Sequence, residues 1–213
     1  MKDLSRQYTD PAGSCHLIAV TGGIGSGKSV VSRALRAMGY EVYDCDSEAR
    51  RLMDSSYVIK GEIAARIGPE CVKNGCIDRQ ELSRIVFADS EMLSVLNGIV
   101  HGAVRADLDQ WHGSRAGLRF VETAILYQSG LDAMVDAVIE VTAPRSLRLE
   151  RVMKRSNLTA AQAQARIDAQ DGYVPPCPHP DVRILINDGV HPVLPQLEEM
   201  LAKLGSGAEM KKE

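Results

Sequence analysis

Residues Leu17 to Val31 read LIAVTGGIGSGKSVV, and this stretch decides the architecture. Leu17-Ile18-Ala19-Val20 is a short, continuous apolar run of the kind that forms a strand buried on both faces of a parallel sheet. A glycine-rich turn follows it. Val30, Val31, Ala34, Leu35 and Met38 then fall on one side of a predicted helix, and Gly39 stands where a glycine would stop that helix. Glu41-Val42-Tyr43 gives a second strand ending at Asp44-Cys45-Asp46. Strand, loop, helix and strand within about 30 residues make a βαβ unit.

The turn, Gly22-Gly23-Ile24-Gly25-Ser26-Gly27-Lys28-Ser29, matches G-x-x-x-x-G-K-[ST] without a gap. At average composition the pattern arises by chance in about one per cent of chains this long. Its place between an apolar strand and an amphipathic helix argues against a flexible glycine turn with no ligand. Glycines let consecutive backbone N–H groups turn inward around an anion, and the helix N-terminus adds partial positive charge. Lys28 can then reach the β- and γ-phosphates of a nucleoside triphosphate, and the Ser29 hydroxyl can ligate Mg²⁺. Gly23, Ile24, Gly25, Ser26, Gly27, Lys28, Ser29 and Val30 are therefore the expected ATP-binding residues.

Working outward, residues 1–16 are polar and turn-rich and read as a mobile leader. Residues 47–110 are mostly helical in pattern: Arg50 to Met53, Ile59 to Ile67 and Leu82 to Leu96 carry apolar residues at three- and four-residue spacings. Turns are expected at Gly68-Pro69 and Asn74-Gly75. Leu118 to Val121 and Ala137 to Val141 read as core strands. Arg145, Arg148, Arg151, Lys154 and Arg155 cluster after the second. Thr159 with Gln162 three residues on is a capping-box signature opening a further helix. Val182 to Ile186 is a last strand, Val193 to Leu204 a last helix, and 205–213 a disordered tail. Strands alternating with helices predict an α/β fold with a parallel sheet.

The 213 residues are 45% hydrophobic and 25% charged, a globular profile, with only 4% aromatics, so the core rests on aliphatic residues. Twenty-five Lys and Arg against 28 Asp and Glu give a net charge of −3, which offers no basic excess for nucleic acid. No apolar run approaches the ~20 residues that span a bilayer. The first ten residues lack the apolar stretch of a secretory signal. These readings predict a cytoplasmic protein with neither a nucleic-acid nor a membrane partner. Five cysteines, an odd number, suggest free thiols in a reducing compartment. A zinc site from Cys71, Cys76, Cys177 and His179 has loose, cramped spacing and is disfavoured.

A phosphate-binding loop alone does not separate a switch GTPase, a motor and a kinase. The chain lacks an Asn-Lys-x-Asp guanine-reading motif and an Asp-x-x-Gly after the loop, and it is small for a motor. Asp44 and Asp46 close the second strand, and in a parallel sheet ligands sit beyond the carboxyl ends of strands. A carboxylate there can accept a proton from an attacking hydroxyl or help hold the metal. The alternative is that both acids cap the following helix, which weighs more on Asp44 than on Asp46. Arg151 and Arg155 could likewise be a solvated helix face. A nucleotide-dependent regulatory protein that transfers nothing is a further reading.

Taken together, LIAVTGGIGSGKSVV and the later YDCDSEARRL resemble the opening of the dephospho-coenzyme A kinases. The likeness continues through Asn74-Gly75 with Ile77-Asp78-Arg79, Leu82 to Phe87 with Ala88-Asp89, Leu96 to His101, Leu126 to Leu131, and Ile186-Asn187-Asp188-Gly189. It runs in order from about residue 17 to residue 200. The resemblance implies ATP-dependent phosphorylation of the ribose 3′-hydroxyl of dephospho-coenzyme A. It also implies a P-loop NTPase fold, a three-layer α/β/α core with a helical acceptor-binding insert and a short arginine-bearing lid. On that pattern the core is 17–46, 111–142 and 173–204, the acceptor region 47–110 and the lid 143–172. Asp46 matches the catalytic carboxylate, acting with Lys28 and Arg151. Asp44, Arg50 and His101 lie on the acceptor side, Arg151 and Arg155 are the lid arginines, and Asn187 is expected near the adenine. Partners are ATP and dephospho-coenzyme A, with Mg²⁺ as cofactor, and the assembly is a monomer or small homo-oligomer.

The chain departs from the family pattern at four places. Val30 stands for Thr, Gly102 for Pro after His101, Ala124 for Pro, and Gln128 for Glu. If that glutamate bears a charge-dependent role, the chain must supply it elsewhere. Glu122, ending the strand Leu118 to Val121, is the candidate second metal ligand beside Ser29, with a plain strand terminus as the alternative.

Overall fold

The computed structural model describes residues 15–113 and 117–207. The expected leader lies outside the described residues up to position 14, and the expected tail from position 208 on. Positions 15 and 16 already belong to the first strand, and the last helix runs on to position 207. Within the described residues, 15–43 and 117–207 form one compact unit and 44–113 a second.

The first unit is built on a five-stranded sheet in the order β2-β5-β1-β6-β7. Its central strand β1 (Cys15–Thr21) pairs in parallel with β5 (Gly117–Glu122) on one side and β6 (Ala137–Thr142) on the other. β7 (Val182–Ile186) runs parallel beyond β6, and β2 (Val42–Asp44) lies at the opposite edge beside β5. The chain leaves β1 for the β2–β5 side and later crosses to β6. The carboxyl end of β1 is thus the topological switch point, where an open parallel sheet holds its ligand.

Continuous apolarity makes β1 a central strand: Leu17, Ile18, Ala19 and Val20 are all at most 1% exposed. Ile18 and Val20 join Phe120, Ile139, Val141 and Leu185 in one cluster. Onto it α1 (Lys28–Ala37) lays Val31 and Leu35, and α8 (Val193–Gly207) lays Leu197 and Leu201. Tyr40 meets Phe120 edge-on, ring centroids 5.3 Å apart. Truncating a side chain as buried as Leu35 to alanine costs about 2–5 kcal/mol. After β6, α6 (Arg145–Ser156) packs with α7 (Ala160–Asp171), and Val152 on the first and Ala163 and Ile167 on the second are fully buried. The capping box anticipated at Thr159 and Gln162 is present in full.

The second unit holds α2 (Cys45–Ser55), α3 (Tyr57–Arg66), α4 (Arg79–Ala88) and α5 (Ser90–His112) around Ile59, Ile63, Cys71, Leu82, Val86 and Ile99. Two features depart from the sequence reading. The apolar spacing from Leu82 to Leu96 suggests one helical run, but the chain breaks at Asp89. That carboxylate accepts the Glu91 and Met92 amides at 2.8 and 3.3 Å and so starts a new helix. Inside the stretch expected to be helical there is also a short hairpin, β3 (Val72–Lys73) with β4 (Cys76–Ile77). Asn74 (φ +52°) and Gly75 (φ +73°) are both left-handed, as a two-residue type I′ turn requires.

Among the described residues no helix is long and apolar enough to cross a membrane, and no group of three or more His, Cys, Asp and Glu could hold a metal ion. Cys71 is a core residue whose thiol is pushed up by burial, whereas Cys76 is exposed. The His179 ring spends its nitrogens on the Val135 carbonyl and the Asp181 backbone.

Candidate active site

The site is assembled from the first unit, and it begins with an uncapped helix. Asp44, Ser56, Asp78, Asp89 and Thr159 each cap their helix with a side-chain oxygen. By contrast α1 opens on Gly27 with no side-chain cap and no acid in its first turn. The N–H groups that begin a helix have no partner inside it, so an anion supplied from outside can take them.

The loop before α1 is folded by close contact. Ser26 N–H closes a turn on the Gly23 carbonyl at 3.0 Å. Lys28 Nζ lies 2.8 Å from the Gly22 carbonyl, bent across the loop mouth. Side chains are excluded where the walls press in. A Cβ on Gly23 would stand 2.3 Å from the Arg148 guanidinium, and one on Gly27 would stand 2.0 Å from the Asn187 amide nitrogen. Gly27 also has φ +102°, which a side chain disfavours.

Three further elements converge on the loop. From the end of β5, Glu122 is only 9% exposed and accepts a hydrogen bond from the Ser29 hydroxyl at 3.2 Å. From α6, Arg151 donates to the Gly25 and Ser26 carbonyls at 3.3 Å and to the Asn187 carbonyl at 3.1 Å. Beyond β7, Asn187 donates its amide to the Ser26 carbonyl at 2.8 Å. No carboxylate among the described residues pairs with Arg151, whose partners are carbonyls and the Asn187 amide oxygen, so its charge is not neutralised there.

Lys28, Ser29, Glu122, Arg151 and Asn187 thus come together around the loop. Arg155, one turn further along α6, is exposed and among the described residues makes no hydrogen bond or ion pair with the loop. The remaining candidates belong to the second unit. Asp44 caps α2, accepting the Asp46 and Ser47 amides at 3.1 and 3.2 Å and the Ser47 hydroxyl at 3.1 Å. Asp46 follows in the first turn, exposed, with no hydrogen-bond donor to its carboxylate among the described residues, and Arg50 shares its helix face at i, i+4. His101 is half-buried in α5. Burial first and the positive Arg105 second hold its pKa below the ordinary histidine value. Next to Asn187, Asp188 accepts the Val190 and His191 amides at 2.9 Å, which holds its carboxyl well below the usual range.

Gln128, which stands at the family's glutamate, is exposed, whereas the acid at hand beside Ser29 is Glu122. The sequence reading gave no role to Arg148, Gln170 or Asp171, yet all three reach the loop or what reaches it. Arg148 donates to the Ile24 carbonyl at 3.0 Å and pairs with Asp171 at 2.8 and 3.0 Å. Its place three residues before Arg151, on the same helix face, was the available signal.

A parallel sheet with this loop at its switch point, a buried acid facing the loop serine and an arginine-bearing helix against it define a phosphate-binding-loop kinase. Known proteins narrow the class. A family model described as dephospho-CoA kinase matches residues 16–174. A dephospho-CoA kinase of Bacteroides fragilis is 38% identical over 189 residues, covering 88% of this chain and 92% of its own. One from Porphyromonas gingivalis is 41% identical over 155 residues, covering 72% of this chain and 77% of its own. A solved structure from Thermus thermophilus superposes with a TM-score of 0.70 at 34% identity, covering 93% of this chain and 99% of its own. The chain belongs to the dephospho-coenzyme A kinase family.

Proposed function

We propose that this chain transfers the γ-phosphoryl group of ATP to the ribose 3′-hydroxyl of dephospho-coenzyme A, giving coenzyme A and ADP. The loop 22–29, its uncapped helix start and the Ser29–Glu122 contact carry the phosphotransfer half of this reading. Family membership carries the acceptor half.

In this reading the loop amides and the N-terminus of α1 cradle the phosphates, and Lys28 swings from the Gly22 carbonyl to the β- and γ-oxygens. Ser29 and Glu122 offer hard oxygen donors 3.2 Å apart, a pair that suits Mg²⁺. When bound, the ion neutralises charge building on the phosphates. Arg151 turns from loop carbonyls to the transferred group, and Arg155 joins it as the lid, residues 143–172, closes. Asn187 lies toward the adenine. The helical region 47–110 takes the acceptor, with Arg50 and His101 as contacts. Asp46 orients the 3′-hydroxyl and accepts its proton late, because a loose transition state needs little nucleophile activation. Asp44 holds the start of α2 and so places Asp46. The enzyme acts in the cytoplasm as a monomer or small homo-oligomer, and the free thiols of Cys71, Cys76 and Cys177 accord with a reducing compartment.

Phosphorus NMR of the product tests this reading. ATP and dephospho-coenzyme A should yield one new phosphomonoester, coupled to the ribose 3′ proton. A phosphate at any other hydroxyl would contradict the placement of the acceptor.

A further inference from the structure

The phosphate-binding loop is gripped from outside at one residue, on the two peptide units that flank it. Ile24 N–H donates to Gln170 Oε1, and the Ile24 carbonyl accepts from Arg148 Nε at 3.0 Å. The two grips are linked, since Asp171, the next residue to Gln170 on α7, binds the Arg148 guanidinium in a fork at 2.8 and 3.0 Å. Gln170 uses the other end of its amide as well, donating Nε2 to the Ala124 carbonyl at 2.8 Å. One side chain therefore staples the loop after β1 to the segment after β5, the strand that carries Glu122.

We infer that Gln170 is a positioning residue for nucleotide binding, acting through the Ile24 peptide, and that Arg148 is its structural partner and not a phosphate ligand. Arg148 is only 12% exposed and already neutralised by Asp171, which separates it from Arg151, whose partners carry no charge. The physical reason for a staple is entropic. A loop with glycines at φ +139°, +81° and +102° has many unfolded conformations, and a ligand that must order it loses affinity accordingly. Fixing Ile24 beforehand removes part of that cost, and tying it to Ala124 keeps the loop in register with the acid that faces Ser29. The inference rests on the nucleotide-binding reading but not on the identity of the acceptor.

The test is binding of Mg·ADP to the full-length protein by calorimetry, beside steady-state kinetics. Gln170→Ala should weaken Mg·ADP and raise the ATP KM by about 5- to 30-fold, the worth of one to two hydrogen bonds. The acceptor KM should stay near wild type. Gln170→Met keeps the length and loses the hydrogen bonds, so it should match Gln170→Ala. Thr159→Ala, which removes the α7 capping box, should lower the melting temperature without changing Mg·ADP affinity. Near-wild-type nucleotide affinity in Gln170→Met would overturn the inference by reducing the role to packing. Failure of the wild-type protein to bind Mg·ADP would instead overturn the nucleotide reading and this inference with it.

Discussion

Asp46 and Asp44 sit two residues apart at the start of α2 and do different work. The Asp44 carboxylate is committed to two amides and a hydroxyl, while the Asp46 carboxylate stays open in the first turn. Asp46→Asn removes only the proton acceptor, so kcat should fall about 10²-fold or more with both KM values little changed. Steady-state kinetics with turnover near wild type would remove Asp46 from the role of base. Arg151 is a cation held on carbonyls, and in the proposed function it exchanges them for a phosphate. Arg151→Ala should therefore lower kcat by about 10²-fold while leaving the acceptor KM within about twofold. A rise confined to the acceptor KM would contradict its placement at the transferred group. Residue types at fixed spacing pointed to Lys28 and Ser29, whereas Asp44, Asp46 and Glu122 were candidates only by their place at strand ends. Gln170 could not be found in this way: a glutamine on an amphipathic helix has no spacing that marks it, and only its two backbone partners give it a role.

Among elements, most strands and helices of the first unit were legible because each carries one dominant signal: an unbroken apolar run for β1, apolar runs interrupted by a single charged residue (Arg119, Glu140, Arg183) for β5, β6 and β7, or an apolar face for α1 and α8. The second unit was read less well where two signals competed. Helical spacing persists across Asp89, but the side chain of Asp89 caps the next helix and wins locally. The Asn74-Gly75 turn was anticipated, but the two-residue strands beside it are too short to show a period of two. Asp89→Ala should cost about 0.5–2 kcal/mol, the ordinary worth of an N-cap. Thermal unfolding should show a fall of about 1–8 °C for a chain of this size. An unchanged melting point would mean that packing of α4 against α5 alone fixes the break.

For the whole molecule, acid stability should depend on His101. Its folded pKa lies below the unfolded value of 6.5, so the unfolded chain binds the proton first as pH falls. The stabilisation is present above about pH 6.5 and is lost as pH drops through the folded value. Asp78 and Asp188, whose folded pKa values are also lowered, begin to matter only near and below 3.8. Denaturant titrations should thus show the wild type weakening from pH 7 to pH 5 more than His101→Gln does. Equal slopes would assign that pH window to other groups.

Dephospho-coenzyme A is the acceptor of this P-loop kinase. ADP release from ATP·Mg²⁺ with dephospho-coenzyme A, AMP, shikimate or no acceptor checks this. Release well above background only with dephospho-coenzyme A is the predicted result. Release driven by AMP or shikimate, or silence with every acceptor alongside measurable ATP binding, would contradict it.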